Sequence, residues 1–96
     1  MRRNNTEPLK NVIQRYLHAI GAKQKIKEIQ LRNSWDKIMG INVAGQTEYI
    51  YIKQGIFHIK ISSSVVKYEL SMMKSVIIER LNTEAGETLI SDIVFL

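Results

Sequence analysis

The sequence predicts a small α+β domain of element order ααββαβ, with a three-stranded sheet packed against helices. Three observations predict it. Before Gly40, apolar residues recur at spacings of three and four, the period of a helix with one buried side. Around Gln54-Gly55 they alternate with polar residues, the period of a strand. The chain closes on a short, nearly all-apolar run from Leu89 to Leu96. Its 96 residues suffice for one domain, residues 1–96, with a modest core and a flexible start over residues 1–6.

The first helix is predicted from the stripe Leu9, Val12, Ile13, Tyr16, Leu17 and Ile20. Thr6 is the expected cap, Glu7 suits the positive end, and Pro8 fits the first turn. Gly21 is the expected stop. A second helix is predicted over residues 23–39, with Ile26, Ile29, Trp35, Ile38 and Met39 facing the core and Leu31 off the stripe. Gly40 ends it. Residues 48–53 and 56–62 read as strands joined by Gln54-Gly55. In the second strand Phe57, Ile59 and Ile61 share the buried face, against His58 and Lys60. In the first, Ile50 and Ile52 oppose Tyr49, Tyr51 and Lys53. Ser62-Ser63-Ser64 opens one long helix with the stripe Val66, Leu70, Met73, Ile77 and Leu81, ending near Asn82 and Gly86. The final run supplies the third strand.

Charge is placed unevenly. Up to Gly40 there are nine basic residues against three acidic ones, so the formal net charge of +5 resides in the helical half. Such a one-sided field suits a polyanion such as nucleic acid, or serves solubility alone. No cysteine is present, which removes disulfides and thiolate metal sites. The start Met1-Arg2-Arg3-Asn4-Asn5 has no apolar run behind it, and a cytoplasmic protein without membrane contact is the expectation.

Catalytic readings find little to stand on. Gly40-Ile41-Asn42-Val43-Ala44-Gly45-Gln46-Thr47 nears the phosphate-loop pattern, but Gln46 stands where lysine must reach the phosphates. His18 and His58 lie on different elements without cysteine or clustered carboxylates, so no metal site is expected. The three serines have no assignable base, and capping explains them. The expectation is therefore no enzyme, no cofactor and no small-molecule substrate. Tyr49 and Tyr51, with Lys53 and Lys60 nearby, either stack bases on an exposed sheet face or cover the sheet. Trp35 reads as a core residue or as a partner-facing anchor.

Trp35-Asp36-Lys37-Ile38-Met39-Gly40, followed by Val43-Ala44 and Thr47, resembles the tryptophan-to-glycine box of the DciA family. The resemblance continues through Gly55-Ile56-Phe57-His58-Ile59, Ser63-Ser64, Glu69-Leu70, Leu81-Asn82 and Ile90-Ser91-Asp92-Ile93. Many relatives carry a second tryptophan where this chain has Val66, and the Gly-x-x-Gly clamp of KH domains is missing. The resemblance implies a KH-like fold and a non-enzymatic DNA-replication adaptor that binds the replicative DNA helicase and single-stranded DNA. On that reading Arg2, Arg3, Lys10, Arg15, Lys23, Lys25 and Lys27 contact phosphates, Tyr49 and Tyr51 offer stacking, and Trp35, Gly40 and Gly55 are structural. Two alternatives stay open: a KH-like RNA-binding module, and a protein-interaction domain that binds no nucleic acid.

Overall fold

A single helix runs where two were expected before Ser34. In the computed structural model, which describes residues 8–96, α1 extends unbroken over Leu9–Asn33. Gly21 lies inside it and does not stop it. An interior glycine costs a helix only about 1 kcal/mol relative to alanine. Ala19, Ala22, Lys23, Gln24 and Lys25 on either side are strong helix formers that carry the backbone through. The expected cap Thr6 lies outside the described residues; Pro8 occupies the N-cap position of α1.

The real break falls at Ser34. Its N–H donates to the carbonyls of Gln30 and Leu31 (both 3.1 Å), and its hydroxyl donates to Gln30 O at 2.9 Å. Side-chain bonding of this kind competes with helix continuation. The chain then turns into α2, Trp35–Met39. Gly40, at φ +87°, ends α2 in a region that side chains with a Cβ rarely enter. One further turn, α3 over Ile41–Gly45, leads into the sheet.

Strands β1 (Thr47–Lys53) and β2 (Ile56–Ile61) form an antiparallel hairpin, and β3 (Asp92–Phe95) lies parallel to β2 on its other side. Gln54 (φ +53°) and Gly55 (φ +77°) both take left-handed backbone, as a two-residue hairpin of matching twist requires. The positive φ is what favours glycine at residue 55, since the space beside it would admit a Cβ at ordinary contact distance. A Cβ there would lie 3.4 Å from Ser91 Oγ and 3.5 Å from Leu89 O, because the chain entering β3 passes against the turn. Ser91 N–H donates to Gly55 O at 2.8 Å.

The helix expected between Ser64 and Leu81 is divided. α4 spans Ser64–Ser71 and α5 spans Lys74–Ala85, with Met72 and Met73 closing the first by bonds to the Glu69 and Leu70 carbonyls. The bend has a packing reason: α4 lies on β2, whereas α5 meets α1, α2 and β3. A straight helix cannot serve both surfaces. Ser63 caps α4, its Oγ accepting from Val66 N–H at 3.3 Å.

All helical packing is on one face of the sheet, around Leu31, Trp35, Phe57, Ile59, Ile61, Leu70, Ile77, Leu81, Leu89, Ile90 and Ile93. Trp35 is 1% exposed, its ring tilted on Phe57 at 5.3 Å between centroids. Its Nε1 donates to Thr47 Oγ1 at 3.0 Å, and that hydroxyl donates to Val43 O at 2.8 Å. Asn82 is an internal brace. It donates to Ile90 O at 2.9 Å, and its Oδ1 accepts from Leu89 N–H (2.9 Å) and Ile90 N–H (2.7 Å). The extended segment before β3, which has no strand partner over Leu89 and Ile90, is braced there by this carboxamide and at Ser91 by the bond to Gly55 O.

The outer part of α1 takes no share in the core. Every residue from 8 to 26 is exposed, and Leu31 is the one buried residue of the helix. The molecule measures 67 × 21 × 20 Å, with α1 forming an arm.

Two stability predictions follow from this division. Asn82→Ala leaves the N–H and carbonyl of Ile90 without their partner, whereas Leu89 N–H keeps its bond to Glu87 O, and should cost about 2–3 kcal/mol in chemical denaturation followed by far-UV circular dichroism. Gly21→Ala, with open space around the added methyl, should strengthen the arm by about 1 kcal/mol. Because the arm is outside the core, the gain should appear as slower amide exchange over residues 16–26, with little change in the midpoint of global unfolding.

A candidate nucleic-acid interface

The sheet's second face carries no helix. Strand alternation sends Ile50 and Ile52 towards the core and Tyr49, Tyr51 and Lys53 outwards. The hairpin register then places Tyr49 opposite Lys60, Tyr51 opposite His58 and Lys53 opposite Ile56. Tyr49 and Tyr51 are 50% and 43% exposed. Their rings lie 6.4 Å apart at 15°, and Tyr51 stacks on the His58 imidazole at 4.4 Å and 8°. Three nearly parallel rings thus make one tier across two strands, with Lys60 beside Tyr49 and Val94 of β3 beyond His58.

The inner end of α1 brings cations to this tier. Lys25, Glu28, Ile29 and Arg32 line a groove whose other wall is Tyr51 and Ile52. Lys25 and Arg32 are seven residues apart, hence two turns apart on one helix side, about 10 Å along the axis. Glu28 stands between them and trims the local positive field. An aromatic wall facing two cations is the arrangement in which a base can stack while its phosphates are neutralised.

The remaining expected phosphate contacts are dispersed. Lys10, Arg15 and Lys23 project from the exposed arm, with Lys10 about 22 Å along the helix from Lys25. Lys27 pairs with Glu87, in the bend just beyond the end of α5, and Lys37 pairs with Glu84 of α5 at 3.2 Å. Arg2 and Arg3 lie outside the described residues. Of the cations named from sequence, Lys25 alone lines the groove against the aromatic tier.

Two members of the site escaped the sequence reading. Arg32 follows Lys25 at a seven-residue interval, a signal visible once both belong to one helix. Alternation puts His58 on the outer strand face, but nothing in the residues alone marks it as a stacking partner. Its partnership with Tyr51 follows from a two-residue turn, which pairs residue 53 with 56 and hence 51 with 58.

The other motifs resolve into architecture. The stretch Gly40 to Thr47 forms α3 and the entry to β1, and the Thr47 hydroxyl is engaged by Trp35 and Val43. Among the described residues no cluster of three or more His, Asp or Glu could hold a metal ion. Among the same residues no helix is long and apolar enough to cross a membrane.

No curated protein matches the chain. The family model described as "Dna[CI] antecedent, DciA" matches residues 8–95, nearly the whole length, and the chain therefore belongs to the DciA family, whose role is helicase loading in bacterial DNA replication.

Proposed function

We propose that this protein is a cytoplasmic, non-enzymatic adaptor that binds the replicative DNA helicase and holds single-stranded DNA while the helicase is loaded. The observation that carries the DNA half of this reading is the Tyr49–Tyr51–His58 tier beside the Lys25–Arg32 groove. A single strand offers what this surface needs, exposed base faces and a regular line of phosphates. Bases lie on Tyr49, Tyr51 and His58, each stack worth about 1–3 kcal/mol. Lys25 and Arg32 neutralise phosphates on one side, and Lys53 and Lys60 do so on the sheet itself. A duplex fits this surface poorly because its base faces are already stacked. Lys10, Arg15 and Lys23 on the arm add a positive field that raises the rate of encounter.

No residue in this account transfers a proton, a phosphoryl group or an electron. The adaptor's work is positional: it keeps a strand unpaired and presents it beside its helicase partner. Stacking and phosphate contacts do not distinguish ribose from deoxyribose, so the choice of DNA over RNA rests on the family's role in replication.

The two kinds of contact should separate in titrations of a fluorescent oligothymidine. Tyr51→Ala should weaken binding by about 5- to 150-fold while leaving the slope of log affinity against log salt unchanged. Unaltered affinity in that variant would sink the stacking surface. Lys25→Gln and Arg32→Gln should each flatten the slope by about 0.7. Competition by an oligouridine of equal length tests the choice of polymer. Preference for the RNA at equal salt would favour an RNA-binding module instead.

A further inference from the structure

The arm carries an apolar stripe that its own chain leaves uncovered. Leu9, Val12, Ile13, Tyr16, Leu17 and Ile20 occupy one side of α1, and their exposures run from 43% at Val12 to 73% at Leu9. Leu9, Ile13, Tyr16 and Ile20 follow at intervals of four, three and four, the seam of a helix that packs lengthwise against another element. Solvent is a poor environment for such a stripe, and contiguous exposed apolar surface marks interaction sites. The opposite side of the same turns holds Asn11, Gln14 and His18.

Charge decides what can cover it. From residue 8 to residue 27 the arm has no acidic side chain, while Lys10, Arg15, Lys23 and Lys25 stand along it. A second copy laid on the stripe would bring two such cation sets together as the interface dried, which is unfavourable in either orientation. A nucleic-acid strand would neutralise the cations and leave the apolar side in water. The seam itself turns cationic at its inner end, because Lys23 takes the next position after Ile20. The complementary surface is therefore an apolar groove of limited length, about 17 Å for the stretch from Leu9 to Ile20, with carboxylates at its rim and one end. That is a description of a protein surface.

We propose that the outer half of α1 is the helicase-docking element, seated with its Leu9–Ile13–Tyr16–Ile20 seam in an apolar, acid-rimmed groove of the replicative helicase. The identity of the partner rests on the helicase-loading reading above; the choice of surface rests on the arm's exposure, spacing and charge. Docking through the outer arm leaves the sheet tier and the Lys25–Arg32 groove open, so helicase and single-stranded DNA occupy one chain together.

The test uses the full chain, the purified replicative helicase hexamer and a fluorescent oligothymidine. The triple variant Ile13→Ala/Tyr16→Ala/Ile20→Ala changes exposed positions to a strong helix former, and unchanged far-UV circular dichroism verifies its helix. It should bind the helicase at least about thirtyfold more weakly, with oligothymidine affinity within about twofold of the parent. Lys23→Glu should weaken helicase binding and reduce its salt dependence. Equal helicase affinity in the parent and triple variant overturns the docking surface and leaves the loading function standing. Absence of helicase binding by the parent chain overturns both. A parent dimer that the triple variant disperses assigns the seam to a second copy and overturns the proposal. Binding to phosphatidylglycerol vesicles that is lost in the triple variant, with helicase binding retained, assigns it to a lipid surface and likewise overturns it.

Discussion

The burial of Trp35 is the constraint from which the rest of the molecule takes its placement. Its indole packs on Phe57 of the central strand, and its N–H must find an acceptor in a site closed to water. Thr47 Oγ1 supplies that acceptor and in turn donates its own O–H in a hydrogen bond to Val43 O. This relay closes the segment from α2 through α3 to the first residue of β1. It also sets the two surfaces outside the core. β1 starts at the inward-facing Thr47, and the register shift between Thr47 and Tyr49 then turns Tyr49 and Tyr51 to the outer face. α1 ends at Asn33, two residues before Trp35, so the same anchor sets the direction in which the arm leaves the domain.

Much of this chain's apolar surface is kept out of the core. The buried set is small, and the segment leading into β3 depends on a polar brace, Asn82, where strand pairing is lacking. Meanwhile a long helix exposes a full apolar stripe. A chain under selection for stability alone would fold such a stripe onto its own body. Holding it out is consistent with an adaptor, whose surfaces are completed by partners. The sheet tells the same story, because its helix-free face shows aromatic rings and lysines to solvent.

Some of the fold and site was legible in the residues because it depends on local geometry. Alternation placed Tyr49 and Tyr51 on the face away from Ile50 and Ile52, and Gln54-Gly55 set the turn. Ser63 was among the serines read as a cap, and Gly40 marked the end of the helix bearing Trp35. Other features needed the assembled molecule. Gly21 has the composition of a stop, but a glycine stops a helix only when something outside the helix turns the chain, and nothing packs there. The bend at Met72-Met73 arises from two surfaces that α4 and α5 must meet separately. Arg32 joins the site because α1 runs alongside β1, a contact between elements distant in sequence.

The sequence by itself determined periods and faces: which residues share a side of each helix, which alternate in each strand, where the backbone must turn, and where positive charge accumulates. These follow from steric and hydrogen-bonding rules that act within a few residues. The tertiary structure decided what each face meets. The stripe from Leu9 to Ile20 has the periodicity of a core helix and stands in solvent, because periodicity states that a helix has an apolar side without stating what lies against it. That second fact depends on where Trp35 anchors the chain and on how little room the small core leaves once Phe57, Ile77, Leu81 and Ile93 have filled it.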